Sequence, residues 1–401
     1  ELSLFIPDLD NLPEKDFFKL NDNNLFYNGS YRDIFFDDWN LFAGYSFSID
    51  NEDIDFAPDK IKNKETLNTG KIVLSKNLSK RAVINFGGEL QNIVYDTKFN
   101  SFNIQNKEIY SAGFLEGDLL LSSKIAAKVG LRAEHSDIID EANIAPRISF
   151  AYKLGKNDQL NFAYGHFYQT PRQDFLFRYK DFDFERAVHY IANYQYIGQY
   201  RTFRIEAYYK DYQNLAKGTV NTYPYFDLPY VPFSSRGSGY AQGIDIFWRD
   251  KKTIKYTDYW ISYSYLDTER EFGNYPEAAF PTFATPHTFS LVLKHWFPSI
   301  TTSVGVTYTF ATGRPYFNPN NKDFLGDRAK EYNNLSMNVS YITNFFGQFT
   351  VLFISLDNLL GIDHIYNYRF SSDGKIRVPV KSGALRSAFI GLFISIGESP
   401  Y

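Results

Sequence analysis

The sequence contains no cysteine and a single methionine among its 401 residues. Without cysteine, a disulfide framework and a thiolate metal site are both excluded. Long apolar runs are also missing, although 44% of the residues are hydrophobic, and no segment approaches the roughly 20 apolar residues that a membrane helix needs. The net charge of −4 is too small to predict nucleic-acid binding or a polybasic membrane anchor.

Alternating hydrophobicity is what the sequence has instead, together with many aromatic residues (39 Phe and 32 Tyr). Between residues 125 and 134 the odd positions are apolar, whereas the even positions include Lys128, Arg132 and Glu134. Successive side chains of a strand point to opposite faces, so this segment has one apolar face and one charged face. The pattern recurs over 147–154 and, after a tight turn at 155–158, over 159–169.

The same alternation predicts an all-β fold of about 17 strands. The predicted strands cover residues 25–36, 41–50, 67–76, 82–95, 110–121, 125–134, 147–154, 159–169, 185–196, 202–214, 240–250, 257–270, 286–297, 301–314, 334–342, 349–358 and 385–397. Residues 1–24 show no sustained period and are predicted to form a loop.

The predicted connections alternate between short and long. Short turns are predicted near residues 37–40, 77–80, 122–124, 155–158, 198–201, 251–256, 298–300 and 343–348. The long connections are predicted at residues 51–66, 96–109, 136–145, 170–184, 215–239, 271–285, 315–333 and 359–384. Outer-membrane barrels have short periplasmic turns and longer extracellular loops, so the alternation predicts such a barrel.

Nine charged residues fall on the strand faces opposite the apolar ones. They are Lys128, Arg132, Glu134, Arg147, Arg204, Glu206, Lys210, Asp245 and Arg249. Unpaired charges cost several kcal/mol in a packed core, whereas a polar lumen accommodates them. We therefore predict a transmembrane antiparallel β-barrel, with about 16–17 strands present and these side chains facing the lumen. A soluble antiparallel sandwich with one solvated face is the alternative.

The direction of the strands leads to a further expectation. If the connections alternate, the last strand runs toward the periplasm and the C-terminus is periplasmic. The first predicted strand then also runs toward the periplasm, which places residues 1–24 on the extracellular side. Complete single-chain bacterial barrels have an even number of strands, so an odd count predicts the later part of a larger barrel.

Several short segments, in a fixed order, resemble the C-terminal barrel of TonB-dependent outer-membrane receptors, especially those of Bacteroidetes. These segments are residues 145–152, 164–171, 185–190, 204–210, 239–245, 286–289, 311–316 and 357–361. The resemblance implies a bacterial outer-membrane location and a 22-stranded barrel occluded by an N-terminal plug. Residues 1–401 would then be barrel domain, with the plug, the TonB-binding segment and the first strands outside this chain.

The resemblance also implies the function, which is import of a substrate captured at extracellular loops. Its partners would be outer-membrane lipid, TonB acting through the plug, and a surface lipoprotein or other outer-membrane subunits. No cofactor and no catalysis are expected, because the sequence has no nucleophile elbow, paired-histidine zinc spacing or phosphate loop. Two alternatives stay open: a passive porin of 16–18 strands, and a receptor-like barrel that is a structural or docking subunit of a larger outer-membrane complex.

Two kinds of loop site are candidates for binding. Surface loops with prolines and aromatic rings often bind ligands, which here selects Tyr223, Tyr225, Phe226, Tyr230, Phe233 and Arg236, with Arg172 and Arg178 from another loop. Carboxylates at near-alternate spacing resemble calcium ligands at Asp50, Glu52, Asp53 and Asp55, and more weakly at Asn318, Asn320, Asn321, Asp323 and Asp327. Neither set has the glycine-centred order of an EF-hand, so solvated loops are the preferred interpretation.

Overall fold

Antiparallel strands make up most of the molecule, and 18 of them form one sheet. The computed structural model describes residues 2–7, 9–10, 15–36, 39–56, 59–176, 180–218 and 233–396. The strands of the first part of the sheet are β1 (Leu2–Pro7), β2 (Lys15–Phe35), β3 (Trp39–Phe56), β4 (Asp59–Ser79), β5 (Ala82–Phe99), β6 (Phe102–Leu120), β7 (Ile125–Ser136), β8 (Glu141–Lys153) and β9 (Asp158–Gln169).

The sheet continues with strands that are joined alternately by short turns and longer connections. These strands are β10 (Glu185–Ile197), β11 (Arg201–Gly218), β12 (Phe233–Asp250), β13 (Thr257–Glu271), β14 (His287–Phe297), β15 (Thr302–Ala311), β18 (Tyr332–Phe345), β19 (Gln348–Asp357) and β22 (Ser387–Ser395). Two small hairpins, β16 (Pro315–Tyr316) with β17 (Asp327–Arg328) and β20 (Ile365–Phe370) with β21 (Arg377–Lys381), lie within the connections. One short helix, α1 (Gln173–Leu176), follows β9.

Each strand of the main sheet pairs with its neighbours in the chain, so the topology is a continuous meander. All 17 predicted strands are present, and β1 is an additional one. Within the described ranges, β22 pairs with β19 only, and β1 pairs with β2 only. In the pairings between described residues, these strands therefore form an open antiparallel sheet with β1 and β22 at its edges.

One face of the sheet carries rows of exposed apolar side chains. Val129 lies opposite Ile148, and the row continues through Tyr164, Tyr190 and Tyr209 on β9, β10 and β11. Val129 is 46% exposed and Tyr190 is 48% exposed. A soluble protein would bury such a row, whereas the outward face of a membrane barrel presents it to lipid.

The predicted loops of the first part of the chain are wrong. Residues 51–56 and 59–66 lie in β3 and β4, which pair with each other, and residues 96–99 and 102–109 lie in the paired strands β5 and β6, whose hairpin turns at residues 100–101. Residues 15–24 belong to β2, and the predicted loop 136–145 shrinks to a turn at residues 137–140. These polar segments lack alternation because both their faces meet water, but their backbone groups still pair in register.

The long connections of the second part of the chain are present, with shifted ends. Residues 170–184 and 272–286 join β9 to β10 and β13 to β14, as the sequence predicts. Strands β11 and β12 extend into the predicted loop 215–239 as far as Gly218 and from Phe233. In the described part of the chain, no helix is long and apolar enough to cross a membrane.

Candidate functional site

The register brings all nine predicted charged residues to the face opposite the apolar rows, which we call the polar face. Arg147 lies opposite Gly165, Gly165 opposite His189, and His189 opposite Lys210. The remaining seven follow from the same alternation: Lys128, Arg132 and Glu134 on β7, Arg204 and Glu206 on β11, and Asp245 and Arg249 on β12.

A belt of hydrogen-bonded polar side chains crosses the polar face from β9 to β13. The Asn161 amide donates to Asn193 at 2.6 Å, and the Asn193 amide donates to Glu206 at 3.4 Å. Glu206 lies opposite Asp245, which accepts a hydrogen bond from the Ser264 hydroxyl. Each of these side chains has a hydrogen-bond partner on a neighbouring strand, although the carboxylates Glu206 and Asp245 do not bond to each other, so the belt fixes its side chains without burying them in an apolar core.

Most cations on the polar face have a carboxylate partner. The Lys128 ammonium lies 3.1 Å from Asp118 and 3.6 Å from Glu116, both on β6. Arg132 donates to Glu134 through its Nε, although the second oxygen of Glu134 is buried without a partner. These charges are therefore neutralised locally, which is how a polar wall carries both signs at low cost.

Two further ion pairs lie toward the short turns. Arg204 pairs with Glu206 on its own strand, and Arg249 on β12 makes a two-pronged contact with Asp258 on β13. A planar guanidinium matches both oxygens of a carboxylate, so the second pair also aligns the two strands.

Asp250 organises the short turn between β12 and β13. The side chain is 1% exposed and accepts hydrogen bonds from the backbone N–H groups of Lys252 and Thr253. It also accepts from the Thr253 hydroxyl and from Arg201 Nε, each at 2.7 Å. The hydrogen bonds from Thr253, Lys252 and Arg201 hold the pKa of Asp250 well below its usual range, because they favour the ionised carboxylate.

A cavity of about 610 Å³ opens on the polar face, at the end of β2–β6 that lies away from the short turns. Five carboxylates from β2, β3, β4 and β6 line it, and Arg172 and Gln173, at the start of α1, cover one side. The carboxylates are Asp22, Asp50, Glu52, Glu65 and Glu108. The wall is therefore strongly acidic.

The titration of this acidic cavity reflects burial and mutual repulsion. Glu108 is 2% exposed and accepts a hydrogen bond from the Ser136 hydroxyl at 2.7 Å, yet burial raises its pKa. Burial and the nearby Asp50 carboxylate raise the pKa of Glu65. Burial, with smaller contributions from Glu65 and Glu108, raises the pKa of Tyr95 to about 12. The cavity is an environment that favours protonated groups or bound cations.

The calcium candidates do not form one cluster, because they alternate along β3. Asp50 and Glu52 line the acidic cavity, whereas Asp53 and Asp55 lie on the other face, where they pair with Lys62 and Lys60. No group of three or more His, Asp or Glu residues in the described ranges is placed to hold a metal ion.

The second calcium candidate is a hydrogen-bonded loop structure. The Asn318 amide donates to Asp327 at 2.6 Å, and the Asn320 amide donates to the Gly374 carbonyl of the next long connection at 2.8 Å. The Asn318 contact lies within one connection, whereas the Asn320 amide joins it to the next.

Five of the eight predicted ligand-binding residues lie outside the described ranges, namely Tyr223, Tyr225, Phe226, Tyr230 and Arg178. Of the others, Phe233 is only 7% exposed and packs against the Phe175 ring at 4.5 Å. Arg236 is exposed and donates to the Ser234 hydroxyl, and Arg172 lies over the Phe175 ring. Phe233 is therefore part of a packed cluster, and Arg172 contributes to the acidic cavity.

Two hydrophobic clusters join the long connections. The first, which we call the loop core, contains Leu176, Phe182, Phe184, Ala216 and Phe233, together with Ile138 and Ile139. The second joins Tyr275 and Ala279 to Leu325 of another connection. Sequence patterns missed both clusters and the acidic cavity, because irregular loops and doubly solvated strands have no period. The run of acidic residues on β3 was the one available signal.

Comparisons with known proteins agree with this architecture. A family model described as "TonB dependent receptor-like, beta-barrel" matches residues 5–359. No curated protein matches the chain by sequence.

Solved structures with the same fold include several outer-membrane transporters. The outer membrane transporter YddB from Escherichia coli superposes with a TM-score of 0.75 at 10% identity, covering 94% of this chain and 63% of that one. The FrpB iron transporter from Neisseria meningitidis gives 0.71 at 11% identity, with 97% and 66% covered. The ferric yersiniabactin uptake receptor FyuA from Yersinia pestis gives 0.68 at 11% identity, with 96% and 62% covered. The chain thus spans slightly less than two thirds of these structures.

Proposed function

The chain belongs to the TonB-dependent receptor-like β-barrel family, and we propose that it forms the barrel of an outer-membrane receptor that imports a substrate in a TonB-dependent manner. The polar face would line the lumen, and the apolar rows would contact outer-membrane lipid. TonB would act through a plug domain outside residues 1–401, since the chain spans only part of its structural relatives.

The observation that carries this proposal is the division of the sheet into two faces. Exposed apolar side chains such as Val129 and Leu131 alternate with the paired charges of Lys128 and Arg132 on the same strand. Lipid contact accounts for the first face, and a wet or plugged lumen accounts for the second. The absence of cysteine also makes the orientation easy to test.

In the proposed orientation, the short turns and the C-terminus are periplasmic, and the long hairpins and connections are extracellular. Single cysteines at Ser101, on the β5–β6 hairpin, and at Ser299, on a short turn, test it. A membrane-impermeant maleimide is expected to label S101C on intact cells and S299C only after the outer membrane is permeabilised. Labelling of S299C alone on intact cells would reverse the orientation.

Growth competition tests the transport function. Strains that lack this gene or TonB are grown on a panel of single nutrient sources, beginning with ferric complexes because FrpB and FyuA are an iron transporter and a ferric yersiniabactin receptor. We expect one source on which both strains show the same growth defect. Uptake through the barrel that persists without TonB would favour a passive porin, and co-purification with other outer-membrane proteins without any uptake defect would favour a docking subunit.

A further inference from the structure

We propose that the short turn between β12 and β13 binds anionic phospholipid headgroups of the membrane leaflet that lies next to the short turns. The site, which we call the turn patch, consists of Lys251, Lys252, Ile254, Lys255 and Tyr256, together with Tyr200 from the turn between β10 and β11. This inference rests on the membrane placement that the proposed function requires, and it names a class of lipid that the outer surface of the barrel would select.

The turn patch concentrates positive charge at one place among the short turns. Three lysines fall within residues 251–255, whereas the turns at residues 298–300 and 346–347 contain no charged residue. In the part of the chain that the structure describes, no carboxylate lies within ion-pair distance of Lys252 or Lys255. The patch therefore presents cations that are available to a partner.

The two carboxylates that flank the turn are already engaged. Asp250 is buried and accepts a hydrogen bond from Arg201, and Asp258 makes its two-pronged contact with Arg249. Asp258 also attracts Lys251. The charge of the other two lysines of the patch is therefore left uncompensated by the turn itself.

Exposed apolar side chains lie beside the lysines. Ile254 is 47% exposed and Tyr256 is 51% exposed. The Lys252 ammonium lies over the Tyr200 ring at 5.8 Å, and the Lys255 ammonium lies over the Tyr256 ring at 4.8 Å. Lysines and aromatic rings together are typical of the boundary between acyl chains and headgroups. A water-soluble polyanion could bind the lysines but would leave the apolar side chains in water, so the combination favours a lipid.

The turn patch also continues the apolar face of the sheet. Trp248, two residues before Asp250, lies on that face opposite Phe203 on one side and Ile261 on the other. A phospholipid whose acyl chains lie against this face would place its phosphate at the level of the turn. The lysine ammonium groups can then donate charge-assisted hydrogen bonds to the phosphate oxygens.

The backbone of the turn is held in one conformation. The Asp250 carboxylate accepts hydrogen bonds from two backbone N–H groups of the turn, and the Lys251 N–H donates to the Tyr200 carbonyl at 2.9 Å. Tyr256 has a φ of 61°, which is uncommon for a residue with a large side chain. Because the turn is already ordered, little conformational entropy is lost when a headgroup binds.

Tryptophan fluorescence offers a local measurement of lipid binding. Trp39 and Trp248 lie on the apolar face near short turns, whereas Trp260 and Trp296 lie on the polar face. The purified full-length receptor, carrying Trp39→Phe, is reconstituted into vesicles of phosphatidylcholine and phosphatidylglycerol. Quenching of Trp248 by brominated forms of each lipid gives their relative binding constant at the turn patch.

We expect phosphatidylglycerol to be preferred at Trp248. The preference should fall about fivefold in K252Q and in K255Q, because each lysine near an anionic surface contributes about 1 kcal/mol. It should disappear when all three lysines are replaced by glutamine, and K252R/K255R should retain it. Lys156→Gln removes an exposed lysine of another short turn and should change the preference less than about twofold.

Each outcome decides the proposal. A preference that survives the loss of all three lysines would overturn it, as would an equal loss in K156Q, which would show only a diffuse attraction to the short-turn end. Trp39, measured in a W248F receptor, should keep its own lipid preference in every variant, and a parallel loss there would also count against the patch. If neither lipid quenched either tryptophan, the membrane placement would be refuted, whereas equal quenching by both lipids would refute the turn patch alone.

Discussion

The sheet has two regions that are stabilised in different ways at the end away from the short turns. In the hairpin region, residues 15–120, the strands are 18 to 21 residues long and the described turn at residues 100–101 is tight. In the loop region, residues 158–396, β14 and β15 have 11 and 10 residues and the connections are long. The first region lengthens its strands and so adds backbone hydrogen bonds. The second region packs the side chains of its loops against one another.

The side chains differ accordingly. In the hairpin region the Asn63 amide donates to Glu52 at 2.9 Å, and the Thr97 hydroxyl donates to Asn63 at 3.0 Å. In the loop region, Leu176 is fully buried and Ala216 is 1% exposed in the loop core. Regular pairing thus needs no apolar core, because the backbone groups satisfy one another. Irregular segments lack that ladder and depend on burial of apolar surface.

The largest expected difference between the regions comes from cavity formation. Leu176→Ala removes a fully buried side chain of the loop core and should cost the loops about 2–5 kcal/mol. Hydrogen exchange should accelerate in residues 170–184 while the central strands stay protected. Phe102→Ala in the hairpin region, where the ring is 70% exposed, is the matched control and should change exchange little. Equal effects would show that packing stabilises both regions alike.

Strand β7, where the two regions meet, tests whether they share one lipid-facing side. Leu131 is 50% exposed on the apolar face, so Leu131→Arg should cost about 2–4 kcal/mol if the residue lies near the bilayer midplane. Heat-modifiable mobility on gels and yield in the outer membrane measure the loss. Lys128→Gln, on the polar face of the same strand, should be tolerated, and similar damage from both changes would mean that the faces are reversed.

The pH dependence of stability should differ between the short turn at Asp250, in the loop region, and the hairpin region. Because the folded-state pKa of Asp250 is lowered, its charge stabilises the fold above the usual carboxyl pKa, and this stability is lost as pH falls toward the lowered value. Asp250→Asn should therefore lower the Tm by about 3 °C at neutral pH. The gap between variant and wild type should narrow at acid pH, and a constant gap would assign it to geometry alone.

The smallest expected change in stability is in the hairpin region, where removing a charge should raise the Tm rather than lower it. The pKa of Glu65 is raised, so the folded state binds more protons than the unfolded chain between the usual and the raised values, and stability falls as pH rises through that window. Glu65→Gln should raise the Tm by about 1 °C at neutral pH and leave it unchanged below about pH 4. A gain that persists at low pH would contradict the role of charge.

The same contrast explains what could be predicted from the sequence. Both ends of β7 and β9 were predicted to within two residues, because lipid on one side and polar groups on the other impose a period of two, whereas β8 begins six residues before its predicted start. Residues 51–56 form the end of β3 without that period, since water meets both faces. Phe233 has the composition of an exposed binding loop, and only its neighbours in space, Phe175 above all, show that it is buried. No local pattern encodes such a contact.

The pairing of each main-sheet strand with its neighbours in the chain has a consequence for how the molecule forms. Most contacts join residues of one hairpin, so the contact order per strand is low and little loop-closure entropy opposes each addition. Assembly can then proceed strand by strand, with each new strand forming backbone hydrogen bonds to the edge of the strand before it. The slow steps are expected where a long connection must close before the next strand can pair, such as residues 358–386 before β22. The last strand added, rather than the first, would set the rate at which the wall is completed.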